Sequence, residues 1–248
     1  MIQNKGVKLK VCVIIPTYNE RGNITRLIPK LQEVFKKIKD FDMNILVVDD
    51  NSPDGTSDVV EQFSKQYKNV FLLKREKKEG LGAAYLAGFD EAINKIKADV
   101  IVQMDADFSH NPEVMPTLVN HIKENDLVIG SRYVEGGGVV NWNIMRKTIS
   151  KGGNFIARWV ANLNPINDCT SGYRAIRVEL VKKMDKKNIS IFGYAFLMTL
   201  LYEAKRNRAK IKETPITFVD RTEGSSKMGV KDIVQFFITC VRFRLKNL

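Results

Sequence analysis

The feature that most constrains the fold is an alternation of short apolar segments with segments of helical periodicity over the first 130 residues. The apolar segments are rich in β-branched residues and lie at 11–15, 45–48, 70–73, 100–104 and 127–130. Between them, apolar residues recur every three or four positions at 24–38, 59–67, 83–96 and 112–124. This pattern predicts an α/β fold with a mostly parallel central sheet flanked by helices.

Polar clusters follow the predicted strands at 16–20, 49–55, 105–110 and 130–132. Because parallel strands end at the same edge of a sheet, we expect these clusters to form one site there. Gly80 and Gly82 do not continue into a dinucleotide fingerprint, since Tyr85 stands where the third small residue belongs. The sequence also contains no P-loop motif.

Asp105 and Asp107 form the most informative of these clusters. Alternate side chains of an extended chain point the same way, so the two carboxylates can converge on one point. A bound Mg²⁺ or Mn²⁺ would relieve their repulsion and keep open positions for phosphate oxygens. The spacing therefore predicts a divalent-cation site at the edge of the sheet.

The composition narrows the choice of chemistry. A net charge of +12 favours acidic partners such as nucleotides, phospholipid surfaces or nucleic acid. The three cysteines are widely spaced, which argues against a disulfide framework or a zinc site. With only two histidines, a reaction that needs a histidine base is hard to build. A phosphate monoester is already anionic at neutral pH and would need no base.

The second half of the chain shows a different pattern. Residues 136–138 are all glycine and predict a flexible loop over the site. Residues 143–160 form a basic amphipathic segment without acidic residues, either one helix or two helices broken near Gly152. This segment suits a membrane surface or a core-facing helix, and the sequence leaves both open. The apolar segment 231–248 predicts a terminal helix that packs on the domain or lies at a membrane interface, and no segment is long enough to span a bilayer.

Eight ordered motifs together resemble those of the dolichyl-phosphate (polyprenyl-phosphate) mannosyltransferases, which are inverting family-two glycosyltransferases. The motifs are Pro16-Thr-Tyr-Asn-Glu20, Val48-Asp-Asp-Asn-Ser-Pro-Asp54, Gly80-Leu-Gly82, Met104-Asp-Ala-Asp-Phe-Ser-His110, Gly130-Ser-Arg-Tyr133, Asn141-Trp142 with Arg146-Lys147 and Ile149-Ser150, Ser171-Gly172, and 221–227. The resemblance implies a GT-A (nucleotide-diphospho-sugar transferase) fold over residues 1–230, with an acceptor-side loop and amphipathic helices at about 135–165. It also implies transfer of mannose, with inversion, from GDP-mannose to dolichyl or polyprenyl phosphate at the cytoplasmic side of a membrane.

The same resemblance implies roles for individual residues. The donor GDP-mannose would contact Pro16, Tyr18, Glu20, Val48, Asp50, Asp105, Ala106, Asp107, Arg132, Arg221 and Lys227. The catalytic group would be Asp107, Arg132, Arg221 and Lys227, and the acceptor phosphate would meet Arg132, Arg146 and Ser171. The metal ligands would be Asp105, Asp107 and Ser109. Some members have Gln at the third position, where this chain has Ser109, so water is an alternative ligand.

Several alternatives stay open at this point. Without a membrane span, the chain either binds the surface reversibly through its amphipathic segments or depends on a small membrane-anchoring subunit. The donor is either GDP-mannose or UDP-glucose, because nucleobase contacts are not encoded in any motif found. A soluble glycosyltransferase that makes polysaccharide and a basic nucleic-acid-binding module are further alternatives. The acidic clusters argue against the module, because they lie where a phosphate backbone would sit.

Overall fold

A computed structural model describes residues 8–191, 193–220 and 230–246. The strands are β1 (Leu9–Thr17), β2 (Phe41–Asp49), β3 (Val70–Lys74), β4 (Val100–Gln103), β5 (Leu127–Ser131), β6 (Gly138–Val140), β7 (Arg174–Arg177), β8 (Ile211–Pro215) and β9 (Thr217–Val219). The α-helices are α1 (Arg21–Phe35), α2 (Thr56–Gln66), α3 (Leu81–Glu91), α4 (Met115–His121), α5 (Ile144–Trp159), α6 (Val178–Lys183), α7 (Gly193–Arg206) and α8 (Val230–Lys246).

The central sheet has seven strands in the order β3-β2-β1-β4-β7-β5-β8. Strand β7 runs antiparallel to both of its neighbours, and the other pairings in this sheet are parallel. The prediction of a mostly parallel α/β sheet is therefore confirmed. The sequence pattern missed β7 and β8, because both are short and carry polar residues along much of their length.

Alternating residues of each strand supply two hydrophobic cores, one on each face of the sheet. In β1, for example, Cys12 and Ile14 face one core while Val11, Val13 and Ile15 face the other. Helices α1, α2 and α4 cover the second core, and α3, α6, α7 and α8 cover the first. Because helices cover both faces of the central sheet, its parallel strands are continuous apolar runs rather than alternating ones.

The segment predicted as the acceptor-side loop and helices shows one difference from the prediction, and it decides one alternative that the sequence left open. Gly138 is not in a flexible loop but in β6, which pairs with β9 in a separate two-stranded parallel sheet. The amide of Gly138 donates to the Ile216 carbonyl at 3.0 Å, which fixes the loop to the central fold. Helix α5 is continuous through Gly152 and Gly153, so the segment forms one helix rather than two.

Helix α5 exposes most of its large apolar side chains instead of burying them. Ile144 is 82% and Phe155 62% exposed, whereas the fully buried residues of the helix are Asn154 and Ala157. The terminal helix α8 packs on α7 through Cys240 and Phe243, whose ring stacks on Tyr202 at 3.8 Å. Its opposite side exposes a second apolar row, Val234, Phe237, Ile238, Val241 and Leu245. Helix α8 therefore packs on the domain with one side and exposes apolar side chains on the other.

Candidate active site

A cavity of about 390 Å³ opens at the carboxyl edge of the central sheet. Its lining comes from the ends of β1, β2, β4 and β5, from the segments that follow β6 and precede β7, and from residues of α3, α7 and β9. The predicted residues that line it are Pro16, Tyr18, Glu20, Asp50, Asp105, Ala106, Asp107, Arg132, Arg146 and Ser171. The strand-end clusters therefore meet in one site, as expected from the sequence.

The loop that follows β4 holds the two carboxylates in place through local hydrogen bonds. The Ser109 amide donates to Oδ1 of Asp107 at 3.1 Å. The Asp105 amide donates to Nδ1 of His110 at 3.0 Å, so the neutral imidazole carries its proton on Nε2. That Nε2 lies 3.8 Å from Oδ2 of Asp105, and the imidazole stacks on Tyr173 at 4.9 Å. His110 is thus a rigid, buried support beside Asp105.

Asp105 and Asp107 fit a divalent cation of the Mg²⁺ or Mn²⁺ type. Within the described ranges, no cluster of three or more His, Cys, Asp or Glu side chains exists that would form an all-protein cage. Two carboxylates with the remaining positions left to water and phosphate oxygens are the arrangement that Mg²⁺ prefers. The donor set of the cavity is therefore suited to a metal that is shared with a phosphorylated substrate.

A network of charged residues lies at the Tyr18 end of the cavity. Arg75 pairs with Asp50 at 2.6 Å and with Glu79 at 2.7 Å. Burial raises the pKa of the Asp50 carboxyl, and the nearby Arg75 charge only partly opposes this effect. The ammonium group of Lys78 lies 4.2 Å from the centre of the Tyr18 ring. Lys78 was not predicted as a site residue, because it stands in a charged run that looks like an ordinary solvated loop.

Arg132 is held by a buried carboxylate, Asp168. Its Nε and Nη2 donate to the two Asp168 oxygens at 2.7 Å each, and its backbone amide donates to Oδ2 at 3.0 Å. Burial raises the pKa of Asp168, but the charge and hydrogen bonds of Arg132 outweigh it and leave the pKa below its usual range. Glu213 accepts hydrogen bonds from the amides of Asn167 and Asp168 and so anchors this turn. The guanidinium is therefore oriented rigidly at the cavity wall.

Arg146, at the start of α5, is the second arginine of the cavity. Its Nη1 pairs with Asp220 at 2.5 Å, and its guanidinium carbon lies 4.4 Å from the centre of the Trp142 ring. Ser171 also lines the cavity, but its hydroxyl donates to the Gly130 carbonyl at 2.5 Å. The structure thus places Arg132, Arg146 and Ser171 in the lining of one cavity, and their role toward an acceptor phosphate stays a prediction.

Four predicted residues are placed differently or lie outside the described chain. The Val48 side chain does not line the cavity but lies in the core close to Gly88 and Ile14, because residues of β2 alternate between the two faces of the sheet. Ser109 does not line the cavity; its side chain is buried, and it supports Asp107 through its amide rather than standing ready as a metal ligand. Arg221 and Lys227 lie outside the described residues.

Sequence reasoning also missed functional neighbours of the predicted residues. Asp168 stands in the polar turn 168–174, but its partner Arg132 is 36 residues away, so no local spacing connects them. For His110, its place next to Asp107 suggested a supporting role or a phosphate contact, whereas nothing in the spacing of Trp142 indicated that it lines the cavity; both residues line it.

Comparison with known proteins identifies the family. The glycosyl transferase family 2 model matches residues 12–185. The undecaprenyl-phosphate mannosyltransferase of Micrococcus luteus is 39% identical over 96% of this chain and 95% of that protein. The polyprenol monophosphomannose synthase of Mycolicibacterium smegmatis is 41% identical over 90% of this chain and 83% of that protein.

A solved structure shares the fold. Glucosyl-3-phosphoglycerate synthase from Mycobacterium tuberculosis, in complex with Mn²⁺, UDP and its product, superimposes with a TM-score of 0.66. The superposition covers 96% of this chain and 79% of that one, at 17% sequence identity. The predicted GT-A fold is thereby confirmed, and at this identity the likeness carries no information about substrates.

Proposed function

This chain belongs to glycosyl transferase family 2, and we propose that it transfers mannose from GDP-mannose to the phosphate of dolichol or another polyprenol, with inversion at the sugar. The observation that carries the proposal is the arrangement of charge in the cavity. The carboxylates Asp105 and Asp107 lie on the β4 side, and Arg132 and Arg146 line the same cavity. The names of the relatives agree with a mannosyl donor and a polyprenyl phosphate acceptor.

The chemistry follows from these charges. When bound to Asp105 and Asp107, Mg²⁺ or Mn²⁺ supplies charge neutralisation for the departing diphosphate. Arg132 and Arg146 hold anionic oxygens, and the rigid Asp168 contact keeps Arg132 oriented without reorganisation during the reaction. The acceptor phosphate is already a nucleophile and attacks the sugar carbon directly, so no protein base is required. A single displacement of this kind inverts the configuration.

The decisive experiment uses radiolabelled GDP-mannose, a polyprenyl phosphate and either Mg²⁺ or Mn²⁺. We expect a lipid-soluble labelled product that disappears when the metal is chelated. Thermal stabilisation by GDP should exceed stabilisation by UDP, since a ligand stabilises the folded state according to its affinity. No product with either metal, together with no stabilisation by GDP, would remove the proposal. Stronger stabilisation by UDP would instead favour a UDP-glucose donor.

We further propose that the protein works peripherally on the cytoplasmic surface of a membrane. Among the described helices, none combines the length and the hydropathy that a bilayer span requires. Helix α5 exposes Ile144, Met145 and Phe155, and its basic residues are Arg146, Lys147, Lys151 and Arg158. An exposed apolar row beside positive charge is typical of a helix that lies in an anionic lipid interface.

Sedimentation with anionic and neutral vesicles tests the membrane proposal. We expect binding to anionic vesicles that weakens with salt and falls strongly in Phe155→Ser. Phe71→Ser is the matched control, because Phe71 is 36% exposed on the edge strand β3, away from α5. If the wild type does not bind vesicles but does transfer mannose, a separate anchoring subunit becomes the better explanation.

A further inference from the structure

The small sheet formed by β6 and β9 has a specific consequence for the cavity. Trp142 follows β6 by two residues, and Phe218 lies in β9. Their rings meet edge to face at 5.5 Å, and both line the cavity. The Phe218 ring also contacts His110 at 5.7 Å, next to the carboxylate loop. The two-stranded sheet therefore positions Trp142 and Phe218 as an aromatic part of the cavity lining, next to the start of α5.

Trp142 contacts both arginines of the cavity. The guanidinium carbon of Arg146 lies 4.4 Å from the centre of the indole ring, and that of Arg132 lies 5.3 Å from it. Two cations that share one aromatic ring are both attracted to its electron density. The indole thus connects the position of Arg132, at the end of β5, with that of Arg146, at the start of α5.

The indole nitrogen of Trp142 is a buried donor that has no partner in the part of the chain that the structure describes. The residue is only 8% exposed, and Nε1 has no hydrogen-bond acceptor among the described residues. Buried N–H groups in native proteins are nearly always paired, because an unpaired one loses its hydration without compensation. Trp142 lines the cavity beside Arg132 and Arg146, so a bound ligand can supply the acceptor oxygen that its indole N–H lacks.

We propose that Trp142 is a binding residue for the acceptor phosphate, whose oxygen accepts the Nε1–H hydrogen bond while Arg132 and Arg146 hold the remaining charge. This inference rests on the proposed function. The acceptor is favoured over the donor because Trp142 lies one residue before the N-cap of α5 by sequence, and α5 exposes the apolar row suited to a lipid. The metal carboxylates, which would hold the donor diphosphate, follow β4 instead.

The indole N–H proton of Trp142 is a direct probe of this bond. The chain has two tryptophans, and Trp159 is 57% exposed. A Trp159→Phe variant therefore assigns the two indole signals in a ¹H–¹⁵N spectrum. We expect the Trp142 proton to move downfield on addition of a short, water-soluble polyprenyl phosphate in the presence of GDP and Mg²⁺. A shift of the same size with GDP and Mg²⁺ alone would assign the bond to the diphosphate and overturn the proposal.

Kinetics of Trp142→Phe provide a second test. Loss of a hydrogen bond to a charged group should raise KM for the acceptor by roughly 10-fold or more, with KM for GDP-mannose unchanged. If Trp142 had only a structural role, Trp142→Phe would instead lower the melting temperature and raise KM for both substrates. If Trp142→Phe does not fold, benzothienylalanine at position 142 removes the N–H and keeps the ring shape.

The outcomes separate this inference from the function itself. An unchanged acceptor KM in Trp142→Phe, in an enzyme whose wild type makes product, refutes the role of Trp142 and leaves the proposed function standing. Absence of product from the wild type with every acceptor refutes the proposed function itself.

Discussion

Replacing Asp168 with Asn tests whether the buried ion pair holds Arg132 in its working position. Asp168 accepts three hydrogen bonds from Arg132, and both side chains are almost completely shielded from solvent. Removing one partner of such a pair typically costs about 3–5 kcal/mol, because the other charge stays buried. Asn keeps the shape and one acceptor, so we expect about 3 kcal/mol. For a domain of this size, that corresponds to a melting temperature lower by about 6–12 °C.

The pH dependence of the effect has a definite sign. Burial raises the pKa of Asp168, but the opposing effect of Arg132 is larger. The folded-state pKa is therefore below the unfolded value of about 3.9. A carboxyl of this kind stabilises the fold fully above its unfolded pKa and loses that contribution as the pH falls through the folded pKa. The difference between wild type and Asp168→Asn should therefore be constant from about pH 5 to 8 and shrink below about pH 4.

Urea unfolding and mannose transfer measure the two consequences separately. Transfer should fall roughly 100-fold, the usual effect of a misplaced substrate-binding group. Asp90→Asn is the matched control, because Asp90 is 54% exposed in a surface pair with Lys186 and should change stability by less than about 0.5 kcal/mol. The double variant Arg132→Gln/Asp168→Asn should lose less stability than the two single changes summed, yet remain inactive. Wild-type stability and activity in Asp168→Asn would refute the reasoning.

Four further predictions concern the metal, the acceptor and two glycines. Asp107→Asn should abolish the Mg²⁺-dependent part of the thermal stabilisation by GDP and lower transfer by at least about 100-fold, since one of two metal carboxylates is lost; undiminished Mg²⁺ dependence would contradict it. Arg146→Ala should raise KM for the acceptor phosphate by roughly 10-fold with little effect on KM for the donor, and equal effects on both would argue against its acceptor role. Gly88→Ala would place a methyl 2.7 Å from Cγ2 of Ile14 and should cost about 1–3 kcal/mol in urea unfolding. Gly22→Ala, in α1 with no atom within 4 Å, should instead gain up to about 1 kcal/mol.

The sequence alone was sufficient for the parts of the fold that depend on neighbouring residues. Apolar runs and helical spacing gave the parallel strands β1 to β5 and the helices between them, because periodicity is a property of adjacent positions. The same pattern put Asp105 and Asp107 at a strand end, where a parallel sheet collects its ligands. The motifs that resemble those of family-two glycosyltransferases predicted the family that the glycosyl transferase family 2 model then matched.

Tertiary structure decided everything that depends on distant pairings. Strand β7 has four residues and two arginines, so its place between β4 and β5 comes from pairing with strands far away in the chain. The turn before β7 thereby brings Asp168 into hydrogen-bond contact with Arg132, and no sequence spacing predicts this contact. Periodicity likewise showed that α5 has an apolar side. It did not show whether that side is buried or exposed, since this depends on how the rest of the fold packs. The pairing of β6 with β9, and with it the contact of Trp142 with two arginines, is decided in the same way.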